Sequence, residues 1–205
     1  MSGTGAAPLR LGVFGGAFDP PHLAHRALVQ AALDQLRLDR LLVFPTGQAW
    51  HKARQLSPAA DRVAMAKLAF DGMARVQVDA RETHRSGPSY TVETLRELLA
   101  EHPGAQVFLL IGQDQAKVFH TWHAWEELLR LATIAVAARK VSTGIDEPFV
   151  PPVEHSSRFV QLDFARIAMS ATQIRQCARA GENLVALVGE PVARYIAYHH
   201  LYQTT

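Results

Sequence analysis

Two histidines three residues apart, His22 and His25, follow a pair of adjacent glycines, Gly15 and Gly16, in the string GVFGGAFDPPHLAH from Gly12 to His25. The glycines let backbone approach a ligand without a blocking Cβ. Pro20 and Pro21 stiffen the exit of the turn and suit the first turn of a helix. A helix start carries unpaired N–H groups and partial positive charge, which favours phosphate. Histidines at i and i+3 share one helix face beside that start. Strand, glycine turn and paired imidazoles together point to nucleotide chemistry. A plain tight turn with structural histidines fits the same spacing. A metal pair is a further reading, but no Cys or clear carboxylate partner stands at zinc spacing. The string is neither the G-x-G-x-x-G fingerprint nor a P-loop, since no Gly-Lys-Ser/Thr follows.

The elements that must carry these residues alternate along the chain. Leu9 to Phe14 reads as a strand, and Val29, Ala32, Leu33 and Leu36 form an i, i+3, i+4, i+7 stripe on the helix after the histidines. Arg40–Pro45 is a second strand, and a Ser-Pro signal opens a helix over Ser57–Phe70. Arg75–Ala80 alternates as a strand, Ser89–Glu101 reads as a helix, and QVFLLIG is a buried strand ending at Gly112. A helix over Ala124–Leu131 leads to the strand TIAVAA; a proline loop at Pro148, Pro151 and Pro152 precedes the short strand FVQL and two helices. Near-continuous apolar strands alternating with helices predict an α/β fold, a doubly wound Rossmann-like parallel sheet with helices on both faces. The expected organisation is a single domain over residues 1–205, with about 165–205 as a small C-terminal helical part. Ligands of such sheets sit at the carboxyl ends of the strands, where the glycine turn and Gly112 both fall.

Composition narrows the class further. The 205 residues are 48% apolar and 20% charged, enough for a sizeable core. With 21 Lys and Arg against 19 Asp and Glu, the net charge of +2 is too small for a nucleic-acid coat. A single cysteine, Cys177, excludes an internal disulfide and fits a reducing compartment. No apolar run approaches the ~18 residues a membrane span needs. MSGTGAAPLR lacks a signal-peptide core, and a cytoplasmic location is expected.

The histidine string resembles the H-x-G-H motif of the nucleotidyltransferase superfamily, in the G-G-T-F-D-P-P-H-x-G-H form of bacterial nicotinate-nucleotide adenylyltransferases. Ala17 stands for the usual Thr or Ser, and Ala24 for the Gly between the histidines. Further segments follow in family order. PTGQAWHKA, Pro45 to Ala53, is similar to P-x-x-x-P-P-H-K/R, with His51 and Lys52 matching and Ala49 and Trp50 in place of the prolines. GPSYTVETL is close to P-S-Y-T-x-x-T-L, and IGQD matches around Gly112 and Asp114. TWHAWEELL resembles T/K-W-x-x-x-E-x-L, Arg139 and Lys140 stand where the family has paired basic residues, and MSATQIR matches I-S-S/A-T-x-I-R. The terminal YIAYHHLY is similar to a helix ending G-L-Y, with His200 at the Gly place.

The resemblance implies roles residue by residue. His22, His25 and Arg175 would be catalytic, facing the ATP phosphates. Gly15, Gly16, Ala17, Phe18, Lys52, Ser170 and Thr172 would complete the ATP site. Tyr90, Thr91, Gly112, Asp114, Trp122, His123 and Arg139 would bind the mononucleotide, Trp122 by stacking on its ring and Arg139 or Lys140 at its phosphate. Ser89 and Thr91 are also N-cap candidates, Ser170 caps its helix by type and place, and Trp125 belongs to the core. The implied activity is AMP transfer from ATP to nicotinate mononucleotide, giving deamido-NAD and pyrophosphate in NAD biosynthesis. No protein metal ligands are expected, Mg²⁺ arriving on the ATP phosphates. ATP and nicotinate mononucleotide are the expected partners, with no nucleic acid and no membrane. The alternatives are an adenylyltransferase for nicotinamide mononucleotide or phosphopantetheine, a redox Rossmann enzyme, and a non-catalytic nucleotide sensor.

Overall fold

A computed structural model describes residues 7–47, 56–139, 149–164 and 169–203. Six strands lie side by side, all parallel: β1 (Arg10–Gly16), β2 (Arg40–Pro45), β3 (Val76–Val78), β4 (Gln106–Gly112), β5 (Ala132–Arg139) and β6 (Phe159–Phe164). Their order is β3-β2-β1-β4-β5-β6. The sequence direction of winding therefore reverses between β1 and β4, leaving a crevice beyond their carboxyl ends. β1 and β2 stay in register through Gly16 and Pro45, and β4 and β5 through Gly112 and Ala137.

Alternation along each strand builds a core on each face. On one side Phe14, Leu41, Val43, Phe108, Leu110 and Ala135 pack under helices α1 (Leu23–Gln35) and α2 (Ala59–Phe70). On the other, Leu11, Val13, Leu42, Phe44, Leu109 and Ile134 pack against α4 (Thr91–Glu101) and α6 (Trp125–Leu131), which follow the short α3 (Arg81–His84) and α5 (Gln113–Lys117). The stripe Val29, Ala32, Leu33 and Leu36 is buried as its spacing predicts. The expected doubly wound parallel sheet is the observed one.

The C-terminal helices join the first of these cores. α7 (Ala171–Arg179) contributes Ile174, α8 (Val185–Val188) contributes Val188, and α9 (Glu190–Tyr198) contributes Val192 and Ile196. Tyr195 of α9 donates its hydroxyl to Asp61 of α2 at 2.8 Å. Three helices stand where two were expected, because Gly189, at φ 81°, separates α8 from α9.

Several element starts differ from expectation, and the reasons are local. β1 runs on through Gly15 and Gly16, because the Gly16 carbonyl still accepts from the Thr46 N–H beyond β2. α1 begins at Leu23, so Pro20 and Pro21 precede the helix rather than forming its first turn. His22 is extended there, at φ −147° and ψ 171°, and serves as the N-cap. α2 starts at Ala59, since the Ser57 N–H is bound to Asp19 instead of entering the helix. α4 starts at Thr91 with Tyr90 as its N-cap; neither Ser89 nor Thr91 caps it, and the Ser89 hydroxyl donates to the Glu82 carbonyl. β3 is confined to Val76–Val78, because Arg75 takes a left-handed φ of 67°.

Candidate active site

The crevice side of β1 is shaped by one turn, Ala17 to Pro21. Phe18 adopts a left-handed φ of 48°, which costs energy for any residue but glycine. Its ring compensates by burial: it lies 5.4 Å from Phe14, 5.2 Å from His25 and 6.0 Å from Phe70, each edge to face. The turn thus bends sharply where Gly15 and Gly16 leave the sheet, and delivers His22 to the start of α1.

His22 and His25 are brought together as their i, i+3 spacing requires. The rings stack at a centroid distance of 3.7 Å and an angle of 19°. The His22 backbone N–H donates to His25 Nδ1 at 3.2 Å. With Nδ1 an acceptor, a neutral His25 carries its proton on Nε2 and can donate there. Burial pushes the His22 pKa down to about 4. His25 is also lowered, by burial first and then by the His22 charge it would have to face. Both imidazoles are therefore neutral near pH 7. His22 is 8% exposed, and among the described residues its Nδ1 has no hydrogen-bond partner. A buried polar atom left in that state is a place for a polar ligand atom or a water.

α7 reaches the same turn from the far end of the chain. Ser170 caps it as predicted, its hydroxyl accepting from the Gln173 N–H at 3.2 Å. Arg175, one turn on, donates Nη1 to the Asp19 carbonyl at 2.8 Å and Nη2 to the Thr172 hydroxyl at 3.0 Å. Arg175 and Thr172 thus join His22 and His25 around one turn.

The residues expected at the mononucleotide lie along the other half of the crevice rim. Gly112 ends β4 and serves as N-cap of α5, whose first turn carries Asp114. The Tyr90 and His123 rings meet at 4.2 Å, tilted by 31°, joining the start of α4 to the segment before α6. Trp122 is half-buried and leans on Phe119, with ring centroids 5.4 Å apart. Trp125 packs edge-on against His155 at 5.6 Å, at the margin of the core. Arg139 is the last residue of β5. His51, Lys52, Lys140 and the replacements Ala49 and Trp50 lie outside the described residues.

Four supporting residues have no role in the sequence reading, although Asp19 and Tyr202 lie within its motifs. Asp19 is 2% exposed and accepts from the Tyr202 hydroxyl at 2.7 Å and the Ser57 N–H at 3.2 Å. Burial and the Asp19 charge both raise the Tyr202 pKa, so the phenol stays protonated and donates. Arg62 is buried in α2 and binds the Ala17 carbonyl of the turn. Its signal was present: Arg62, Met65, Ala66, Ala69 and Phe70 follow an i, i+3, i+4, i+7, i+8 pattern, with Arg62 on the apolar face. Glu82, also buried, accepts from Thr94 at 2.7 Å, and burial raises its pKa. The Glu82 carbonyl comes so near Gly47 that a Cβ there would meet it at 2.1 Å.

A parallel sheet with a switch-point crevice, and stacked neutral histidines at the first helix start, define a nucleotide-binding transferase architecture. Residues 13–177 match the cytidylyltransferase-like family model, and the chain belongs to that family. A relative from Albidiferax ferrireducens, named "Probable nicotinate-nucleotide adenylyltransferase", is 56% identical over 195 residues, covering 95% of this chain and 98% of the relative. One of the same name from Methylibium petroleiphilum is 41% identical, covering 94% and 92%. Within the broader class, the chain is a member of the nicotinate-nucleotide adenylyltransferase family. The fold is also that of Plasmodium falciparum nicotinic acid mononucleotide adenylyltransferase, solved in complexes with APC and with NaAD. Those structures align at TM-scores of 0.74 and 0.76, each with 16% identity and 94% of this chain covered, against 96% and 97% of theirs.

Proposed function

We propose that the chain transfers AMP from MgATP to nicotinate mononucleotide, giving deamido-NAD and pyrophosphate, as a single catalytic unit in the cytoplasm. The observation that carries this reading is the stacked, neutral His22–His25 pair beside the strained turn, with Arg175 reaching the same turn from α7. The mononucleotide phosphate oxygen attacks the α-phosphorus, the new P–O bond forms, and the bond to the bridging oxygen breaks as pyrophosphate leaves. Catalysis on this path is positioning and charge stabilisation, with no protein nucleophile.

Each group has a task suited to its chemistry. The His25 Nε2–H and a His22 ring N–H donate to phosphate oxygens as charge builds on them. Arg175 offers its planar fork to the triphosphate, trading its Asp19 and Thr172 contacts for phosphate oxygens. Gly15, Gly16, Ala17 and Phe18 line the phosphates, with Lys52, Ser170 and Thr172 completing the ATP side. Mg²⁺ enters as part of the ATP substrate; among the described residues no three His, Cys, Asp or Glu side chains group around a metal position. Tyr90, Thr91, Gly112, Asp114, Trp122, His123 and Arg139 receive the mononucleotide, with the pyridine carboxylate at the opening of α4. Among the described residues no side chain caps that opening, and a helix start carries N–H donors suited to an anion.

An edge of N–H donors favours two acceptor oxygens over a carboxamide, whose NH₂ would face another donor. The lost hydrogen bond is worth roughly 1–3 kcal/mol, and with about 1.36 kcal/mol per decade the acid is preferred by about 5- to 150-fold. The test is kcat/KM by pyrophosphate release with each mononucleotide at fixed MgATP. Equal values, or a preference for the amide, would refute the substrate while sparing adenylyl transfer. No pyrophosphate with either would refute the reaction.

A further inference from the structure

Arg62 is 2% exposed, and its guanidinium binds backbone oxygens from three separate stretches of chain. Nη1 donates to the Ala17 carbonyl at 3.0 Å and to the Thr46 carbonyl at 2.7 Å. Nη2 donates to Gly47 at 3.4 Å, and Nε to Ser57 at 3.0 Å. These partners are neutral dipoles, and the Asp19 charge nearby helps keep the cation charged against its burial. Burying a charge in this way costs stability that an apolar side chain on the same helix face would not. What the cation achieves is geometric: it holds the turn after β1, the exit of β2 and the entry to α2 at fixed relative positions.

The consequence for the turn follows from peptide geometry. The bond between Ala17 and Phe18 is trans, and in a trans peptide the C=O and the following N–H point in opposite directions. The Ala17 carbonyl is drawn inward to buried Arg62, so the Phe18 N–H faces away from the interior. Among the described residues no backbone carbonyl accepts from that N–H. The Phe18 φ of 48° keeps the peptide in this orientation, and successive N–H groups around a left-handed residue form an anion-binding concavity.

We propose that Arg62 is a positioning residue for phosphate binding: by holding the Ala17 carbonyl inward it presents the Phe18 N–H to the ATP triphosphate. The inference rests on the adenylyl-transfer reading and adds a residue that never touches substrate. A backbone donor fixed before the substrate arrives needs no reorganisation during reaction, which is where such donors gain their effect.

The test needs no variant at first. In protein labelled with ¹⁵N-phenylalanine, MgATP and, separately, inorganic tripolyphosphate are titrated against the Phe18 amide, with calorimetry reporting binding. A downfield shift of that amide with both ligands is the expected result. Binding by calorimetry with an unmoved Phe18 amide overturns this proposal alone. No binding of MgATP overturns the nucleotide reading and this proposal with it. Arg62→Lys, which replaces a fork by a point charge, is then assayed below its unfolding temperature, with folding checked by circular dichroism. The expected result is a fall in kcat/KM for ATP of about 10–100-fold, with KM for the mononucleotide within about twofold and the Phe18 shift lost. A folded Arg62→Lys with wild-type constants and a wild-type shift would show that Arg62 only stabilises the fold.

Discussion

The stacked histidines make a prediction that separates their electrostatics from every other acid-sensitive group. Burial lowers the His22 pKa from 6.5 in an exposed chain to about 4 in the fold. Between those values the unfolded chain binds a proton at His22 and the native protein does not. Stability from this residue is therefore fully present above pH 6.5 and is lost as pH falls toward 4. The slope is about 1.4 kcal/mol per pH unit, which over this window accumulates to about 3 kcal/mol. His22→Asn removes the titration and keeps a residue suited to an N-cap. Urea unfolding of wild type and variant at steps from pH 7.5 to 4.5 gives two stability curves. Their difference cancels the other ionising groups, and the wild-type curve should fall more steeply by about 1.4 kcal/mol per unit below pH 6.5. Ring-carbon NMR of His22 over the same range should show no titration step near pH 6.5. Parallel stability curves, or a His22 midpoint near 6.5, would refute the lowering of the His22 pKa by burial.

Two further outcomes follow from the same geometry. His25→Ala should lower kcat by about 10²–10³, as for other preorganised donors, with circular dichroism unchanged; near-normal kcat would remove His25 from the chemistry. Arg175→Lys should lower kcat/KM for ATP, because one ammonium cannot reproduce a fork that spans the Asp19 carbonyl and the Thr172 hydroxyl; an unchanged kcat/KM would exclude the grip on triphosphate.

The sheet was legible because its strands are buried on both faces and therefore appear as near-continuous apolar runs. QVFLLIG matches β4 residue for residue, and Arg40–Pro45 matches β2. The histidine pair was legible because spacing alone puts both rings on one helix face. Element starts were less so, since they depend on which distant group takes each N–H. Ser57 carries a helix-start signal, yet its N–H goes to Asp19, 38 residues away. Ser89 has the chemistry of a cap, yet its hydroxyl goes to the Glu82 carbonyl.

What the sequence conceals is the support beneath the turn, and the reason is separation along the chain. Tyr202 bonds Asp19 across 183 positions, and Arg175 reaches the same residue across 156. Neither contact has a local signature, because a C-terminal tyrosine and a helical arginine are common surface residues. Arg62 differs in kind. Its place on the apolar stripe of α2 signals burial through spacing alone, and a buried cation must find acceptors. Which acceptors it finds is a matter of fold: β1, β2 and α2 meet at one corner of the sheet, and the carbonyls gathered there are those of Ala17, Thr46, Gly47 and Ser57. Three of the groups that fix the turn, Arg62, Asp19 and Tyr202, thus come from α2, from the turn itself and from the last residues of the described chain. The proposed phosphate site in the first sixth of the sequence is packed against Tyr202 and Arg175, residues from its last sixth.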